Sequence, residues 1–253
     1  MASSRHYIPS KHGWIPLLII LAALSVLVIL VVPAMPAAML QSCSPPPPDP
    51  CPGTGFTPGD GDRYAPDCSP IIIDVSGKGF QLTNARNGVR FDIAGTGRPV
   101  QIAWTAPGAR NAFLVLDWDH DGGVTSGKEL FGNFTPQPRS PHPNGFLALA
   151  EYDKRENGGN GDGLIDQKDA VFLALRLWID ANHDGIAQLS ELFKLPDLGV
   201  YSISLNYKES RRTDQYGNQF RYRARINVTD QEEDMSKAGP AAYDVFFTAT
   251  NTK

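Results

Sequence analysis

The stretch WIDANHDGIAQLSEL, residues 178–192, sets oxygen-bearing side chains at every second position of a short loop between apolar flanks. Asp180, Asn182 and Asp184 take the first, third and fifth positions, a glycine takes the sixth, and Glu191 takes the twelfth. Like charges repel each other, and this repulsion favours the uptake of a cation between them. The stretch therefore predicts a metal-binding loop and decides which fold we expect around it.

The spacing matches D-x-[DN]-x-[DN]-G-x5-E, the calcium loop of an EF-hand. Ca²⁺ takes about six to eight oxygen ligands at ~2.3 to 2.6 Å, so ligands must converge from alternate positions while glycine makes the sharp bend. Of the three acidic loops in the sequence, this third loop, 180–191, alone keeps every ligand at regular spacing, and we expect it to bind most tightly. The predicted ligands are Asp180, Asn182, Asp184, the backbone carbonyl group of Ile186, Gln188 directly or through water, and Glu191.

A first loop, 117–129, repeats the pattern with one extra residue. Lys128 occupies the nominal twelfth place and cannot bind a cation, while the glutamate follows one residue later. Either the loop bulges to bring Glu129 in, or this site is weaker than the third. The predicted ligands are Asp117, Asp119, Asp121, Gly123 through its carbonyl group, and Glu129.

A second loop, 153–169, carries the insertion KRENGG after its first acid. Asp153 could fold back across this insertion to act as the first ligand. Aspartate instead of glutamate at the last position has a shorter reach, which weakens Ca²⁺ binding relative to the smaller Mg²⁺. The predicted ligands are Asp153, Asn160, Asp162, Leu164 through its carbonyl group, Asp166 and Asp169.

Two shorter copies of the pattern, at Asp74 and Asp92, keep only D-x-x-G-x-G. Because they lack further acids, we interpret them as tight glycine turns between strands rather than metal sites.

The loops and the segments around them make residues 69–205 similar to bacterial exported EF-hand-like calcium-binding proteins. Related segments also occur inside large secreted repeat proteins. The resemblance implies calcium binding outside the cytoplasm, without a particular partner or reaction. The matching segments are PIIID at 70–74, LVLD to ELFG at 114–132, GFLALAEYD at 145–153, NGDGLID at 160–166 and DANHDG at 180–185.

The N-terminal residues 1–43 predict an export signal or a membrane anchor. Residues 15–32 are apolar or small apart from Pro16 and Ser25, and Arg5 and Lys11 precede them. Such a run is long enough to cross a bilayer as a helix, so a retained anchor competes with a cleaved signal peptide. A lipid on Cys43 is a third alternative, although Gln41 makes the lipobox match poor.

Residues 44–69 are rich in proline and glycine and predict a stiff, irregular tether. All three cysteines fall at or beside this tether. In an exported protein this favours a disulfide between Cys51 and Cys68, with Cys43 outside the pair. Three free or variably paired thiols are the alternative.

For residues 70–253 we predict one α+β domain, with short helices around the calcium loops and antiparallel strands from both ends of the domain. Apolar residues at helical spacing predict helices at 145–153, 168–180 and 189–195. Alternation of apolar and polar residues predicts a C-terminal hairpin over 200–228. The hydrophobic N-terminal segment adds one more helix.

The function expected from these features is non-enzymatic Ca²⁺ binding in the cell envelope, with the domain on the periplasmic or extracellular side. The net charge of −4 argues against nucleic acid as a partner. A basic strand face of Arg221, Arg223 and Arg225 predicts an anionic glycan or an acidic protein as partner. The alternative is that these arginines are simply solvated. If the face does bind a partner, the protein is a calcium-dependent adhesion module, which is the alternative function. A carboxylate-based hydrolase is a further alternative, but the chain lacks H-E-x-x-H, G-x-S-x-G and a P-loop.

Overall fold

An antiparallel sheet of ten strands dominates residues 64–228 and 240–250, the part of the chain that the structure, a computed structural model, describes. Two further short strands pair with each other. The strands are β1 Tyr64–Cys68, β2 Ile71–Asp74, β3 Val89–Phe91, β4 Val100–Ile102, β5 Asn111–Val115, β6 Leu164–Ile165, β7 Arg176–Trp178, β8 Leu192–Phe193, β9 Ile203–Ser204, β10 Lys208–Thr213, β11 Gln219–Arg225 and β12 Ala241–Ala249.

The longest strand, β12, joins the two parts of this sheet. The main path runs in the order β10, β11, β12, β2, β5, β7, β8. Along its first residues β12 pairs with β11 and β2, and toward its end it pairs with β1 and β4, while β3 pairs with β4. Strands β6 and β9 form the separate two-stranded sheet.

The central strands are buried on both faces, which gives the domain two hydrophobic cores. Ile71 and Ile73 of β2 pack into one core, together with Leu114 of β5. The residues between them, Ile72 and Phe113, pack into the other. A strand covered on both faces reads as a continuous apolar run, which explains the sequence IIID in β2 and AFLV in β5.

The α+β prediction is wrong, because the described residues form a mostly β domain. Their single α-helix is α1, Gly145–Ala150, which Asn144 caps by accepting hydrogen bonds from the N–H groups of Phe146 and Leu147. The remaining helical segments are single 3-10 turns, and the loops lack the paired helices of an EF-hand. The 3-10 turns are Ala85–Asn87, Arg155–Asn157, Ala170–Leu173, Leu189–Glu191 and Leu195–Leu198.

The helices predicted at 168–180 and 189–195 fail for the same physical reason. The first region forms the turn Ala170–Leu173 and then β7, whose neighbouring residues Leu177 and Trp178 enter opposite cores. The second forms the turn Leu189–Glu191 and then β8. A short apolar run in a strand buried on both faces cannot be told from a buried helix by periodicity.

The C-terminal region contains a hairpin of β10 and β11, which turns at Asp214. The Asp214 carboxylate accepts hydrogen bonds from the N–H groups of Tyr216 and Asn218. The predicted N-terminal helix lies outside the described residues. Within the described residues no helix has the length and hydropathy needed to cross a membrane.

Asp244 of β12 is a fully buried acid at the junction of three segments. One of its oxygens accepts a hydrogen bond from the N–H group of Gly145 at the start of α1, at 2.8 Å, and Ser69 also donates to the carboxylate. The other oxygen, Oδ1, has no hydrogen-bond partner within the described residues. Burial raises the pKa of Asp244 to about 7, although the hydrogen bonds and the charge of Arg221 oppose this rise.

This shift predicts that the domain loses stability as pH rises from about 4 to about 7. Over that range folded Asp244 keeps a proton that the unfolded chain releases, so the free energy of unfolding falls with pH, by a few kcal/mol at most. In Asp244→Asn, the slope of the urea-unfolding midpoint against pH should be smaller across this range. Asn in place of the exposed Asp197 is the control and should keep the slope; an unchanged slope in Asp244→Asn would contradict the assignment.

Candidate metal centre

The three acidic loops and the two shorter copies at Asp74 and Asp92, together called the Asp-Gly loops, share one backbone turn. In each, two residues separated by one position adopt left-handed backbone conformations, with φ between 60° and 91°. Glycine tolerates this conformation without a steric penalty, and histidine is less common there. The pairs are Gly77 and Gly79, Gly95 and Gly97, His120 and Gly122, Gly161 and Gly163, and His183 and Gly185.

The turn is closed in every loop by the same hydrogen bond. The N–H group of the second left-handed residue donates to the carboxylate of the first aspartate, with nitrogen–oxygen distances of 2.5 to 3.1 Å. In the second loop Asp153 takes this role from across the insertion. The donor and acceptor pairs are Gly79 and Asp74, Gly97 and Asp92, Gly122 and Asp117, Gly163 and Asp153, and Gly185 and Asp180.

The first loop brings four acids together into a group able to hold a metal ion. Oxygens of Asp117, Asp119, Asp121 and Glu129 all lie within 4.8 Å of one another. Asp119 and Asp121 are exposed, whereas Glu129 is buried, with 2% of its surface accessible. The loop thus bulges to place Glu129, despite the extra residue, in the cluster.

Two buried oxygens in this group lack hydrogen-bond partners within the described residues, namely Asp117 Oδ1 and Glu129 Oε1. Their companion oxygens are held in place: Glu129 Oε2 accepts from the N–H group of Thr125 at 2.7 Å and from that of Ser126 at 3.2 Å. Asp117 Oδ2 accepts from Gly122. A buried carboxylate oxygen without a partner is costly, so this arrangement fits a bound cation.

The electrostatics of Glu129 point the same way. Burial raises the pKa of Glu129, hydrogen bonds from Thr125 lower it, and the charge of Asp119 raises it further. Both causes of the rise are penalties on the ionised carboxylate, and a cation among the four acids would relieve them.

Two close backbone contacts fix the position of Glu129. A Cβ atom on Gly127 would lie 1.8 Å from the carbonyl oxygen of Ile93, and one on Gly132 would lie 1.7 Å from that of Ser69. Both positions therefore require glycine. The N–H group of Gly127 also donates to the carbonyl oxygen of Asp92, which ties the first loop to the shorter Asp92 loop.

In the third loop the end acids are already hydrogen-bonded to buried tryptophans. Asp180 Oδ2 accepts from the Trp104 indole N–H at 2.7 Å, and Asp180 Oδ1 accepts from the N–H group of Asp184 at 3.1 Å. Glu191 Oε2 accepts from the Trp178 indole at 3.3 Å, and Glu191 Oε1 accepts from the Ala181 N–H group at 2.9 Å. These acids anchor the loop to the aromatic core.

Two other predicted ligands of the third loop, Asn182 and Asp184, are exposed. Asp184 Oδ2 accepts from the side-chain amides of Asn182 and Gln188, at 2.8 and 2.9 Å. Gln188 Oε1 is buried and without a hydrogen-bond partner within the described residues. The side chain of Ile186, whose carbonyl group is a predicted ligand, is exposed.

In the second loop a lysine lies among the predicted ligands. The ammonium group of Lys168 lies 3.1 Å from an Asp162 oxygen and 3.7 Å from an Asp166 oxygen. Asp169 accepts hydrogen bonds from the N–H groups of Asn160 and Asp166. A positive side chain thus supplies part of the charge that a cation would supply, while the carbonyl of Leu164 belongs to β6.

The predicted basic face divides into three different environments. Arg225 is buried, with 8% of its surface accessible. The guanidinium of Arg221 lies over the ring of Phe246, 4.0 Å from its centre. Arg223 lines a cavity beside the Asp74 loop.

These features define a β-sheet domain whose Asp-Gly loops include a candidate cation centre. Residues 71–243 match the SPM domain family, and the chain belongs to that family. The iron-regulated protein FrpA of Neisseria meningitidis serogroup C is 35% identical to this chain over 164 residues. The similarity covers 64% of this chain and 14% of that protein, so the chain spans a small part of its relative's length.

The contact between Trp104 and Asp180 predicts a structural role for Asp180 that needs no metal. In excess chelator Asp180→Ala should lower the free energy of unfolding by about 2 to 5 kcal/mol, because it leaves buried donors unpaired. The same substitution at the exposed Asp119 should cost less than about 1 kcal/mol. Urea unfolding of both variants checks this, and equal losses would be incompatible with it.

Proposed function

We propose that the first loop binds Ca²⁺ through Asp117, Asp119, Asp121 and Glu129. The observation that carries this proposal is the pair of buried, unpartnered oxygens, Asp117 Oδ1 and Glu129 Oε1, inside a group of four acids. The carbonyl of Gly123 and water complete the ligand set. When bound, the ion supplies positive charge to the cluster and links the two ends of the loop.

The choice of Ca²⁺ follows from the donor chemistry. The group consists of carboxylates on a short loop, without the thiolate or imidazole ligands that a structural zinc site uses. Four acids leave room for the six to eight oxygens that Ca²⁺ takes, whereas Mg²⁺ is bound by fewer carboxylates and keeps more water. The name of the relative from Neisseria meningitidis refers to regulation by iron and does not state a ligand.

The second and third loops are weaker sites in this proposal, because their acids have other partners. Lys168 lies against two acids of the second loop. Tryptophans and backbone N–H groups hold Asp180 and Glu191 in the third. The first loop therefore fills first, which reverses the ranking that ligand spacing alone predicts.

The role we propose is structural and non-enzymatic, in a domain exported to the cell envelope. Most clustered acids are engaged in holding loops, which leaves few free for acid–base chemistry. Cys68 is disulfide-bonded, which supports an oxidising compartment, and the two other cysteines lie outside the described residues. The basic, then apolar N-terminal sequence supports export and anchoring. Screens with esterase and glycosidase substrates test the enzymatic alternative.

Calcium titration of the purified full chain tests the proposal. Glu129→Gln should weaken the tightest binding event by about tenfold or more, because it removes the charge of a buried ligand. Gln in place of the exposed Glu156, which is not among the predicted ligands, should leave the isotherm unchanged. Trp118 lies between two ligands and is 44% exposed, so Tb³⁺ luminescence excited through tryptophan gives a second readout.

Linkage predicts the matching effect on stability. Ca²⁺ at 100 times its dissociation constant should add about 2.7 kcal/mol to the free energy of unfolding. Chelator should remove this gain from the wild type, whereas in Glu129→Gln, with binding about tenfold weaker, the gain at the same Ca²⁺ concentration should be about 1.4 kcal/mol or less. Tight binding that persists in Glu129→Gln but disappears in Glu191→Gln would assign the main site to the third loop instead.

A further inference from the structure

Two of the three acidic loops carry a lysine directly before their last acid. Lys128 precedes Glu129 in the first loop, and Lys168 precedes Asp169 in the second. The third loop carries Ser190 at this place. An ammonium group this close to a set of carboxylates is attracted to them and, where it reaches them, competes with a metal ion for the same negative charge. The position of each lysine therefore bears on which loop can take up a cation.

The two lysines differ in where their ammonium groups lie. In the second loop the ammonium group of Lys168 lies 3.1 Å from an oxygen of Asp162 and 3.7 Å from one of Asp166. Within the described residues Lys128 forms no ion pair, although the next residue, Glu129, belongs to the cluster of four acids. The first loop thus keeps its lysine away from its acids.

The shorter Asp92 loop holds the side chain of Lys128. A Cβ atom on Gly95 would lie only 2.7 to 2.8 Å from Cγ, Cδ and Cε of Lys128, so the methylene chain lies directly against the bare backbone of Gly95. Gly95 also adopts a left-handed conformation, with a φ of 63°. The turn at Asp92 presents this glycine to the lysine, and the lack of a side chain there leaves the space that the methylene chain fills.

The backbone before Lys128 is fixed to the same loop. The N–H group of Gly127 donates to the carbonyl oxygen of Asp92 at 2.9 Å, and that of Gly95 donates to the same oxygen at 3.1 Å. A Cβ atom on Gly127 would lie 1.8 Å from the carbonyl oxygen of Ile93, so the two backbones are in direct contact. The Asp92 loop therefore sets both where the Lys128 side chain starts and the path that it follows.

We propose that the Asp92 loop keeps the first loop open to a metal ion by holding the Lys128 ammonium group away from the acids. This inference rests on the proposed function, because it concerns the same calcium site. Without the contact at Gly95, the ammonium group of Lys128 would turn to the cluster, as that of Lys168 does in the second loop, and compete with Ca²⁺. If it occupied the cluster in about nine of ten molecules, the apparent affinity for Ca²⁺ would be lowered about tenfold. Gly95 is in this sense a positioning residue for the site.

Calorimetric titration of the full chain with CaCl₂ tests this proposal with the variants Gly95→Asn and Gly97→Asn. Asparagine tolerates the left-handed conformation better than most residues that have a side chain, so both replacements keep the turn. The new side chain at position 95 collides with Lys128, whereas a Cβ atom on Gly97 would meet no other part of the described chain within 4 Å. Gly95→Asn should weaken Ca²⁺ binding by about tenfold, and Gly97→Asn by less than about twofold.

Removal of the lysine separates the effect of its charge from that of a distorted loop. The double variant with Gly95→Asn and Lys128→Ala should recover the wild-type affinity to within about threefold, because the competing cation is gone. Lys128→Ala alone should raise the affinity by no more than about threefold, because the ammonium group of the wild type already lies away from the acids. Urea unfolding in chelator establishes that each variant is folded.

Unchanged Ca²⁺ affinity in Gly95→Asn, or a double variant that stays as weak as Gly95→Asn, would overturn the proposal. A gain of about tenfold in Lys128→Ala alone would also overturn it, because the lysine would then already compete in the wild type. In each of these cases a loss of affinity in Glu129→Gln would leave the proposed function standing. A wild type whose Ca²⁺ binding does not depend on Glu129 would refute the proposed function and this inference together.

Discussion

The loops of this domain depend on one kind of hydrogen bond, from a glycine N–H group to an aspartate carboxylate that lies five residues earlier in four loops and ten residues earlier in the second. It holds a turn with two left-handed residues, which the chain can adopt there because glycine or histidine occupies those positions. Asp74 ends β2, and Asp92, Asp117 and Asp180 directly or closely follow β3, β5 and β7. The same turn therefore ends four strands of the main sheet and sets where the chain leaves it.

Five copies of one turn differ in what balances the negative charge. The first loop gathers four acids and leaves two buried oxygens unpartnered within the described residues. The second places Lys168 beside its acids, and the third binds its end acids to Trp104 and Trp178. The two shortest loops carry a single acid each. We infer that one geometry serves as cation site, ion pair and core anchor, according to its neighbours.

Local spacing predicts part of this arrangement well. The alternation of acids marks all three loops, and the proposed bulge at Glu129 matches the geometry of the cluster. The helix prediction at 168–180 fails because Leu177 and Trp178 enter opposite cores, and such a strand shows no alternation. Contacts across long sequence distances leave no local signal: Trp104 and Asp180 are 76 residues apart, and Lys128 lies against Gly95 of a different loop.

The central claim is that the first loop, rather than the third, carries the metal. Anomalous diffraction from crystals of the protein grown with Tb³⁺ tests it most directly, because the ion's position is located independently of any binding model. We predict the strongest peak at about 2.3 to 2.6 Å from oxygens of Asp117, Asp119, Asp121 and Glu129. A strongest peak between Asp180 and Glu191, with the first loop empty, would contradict it.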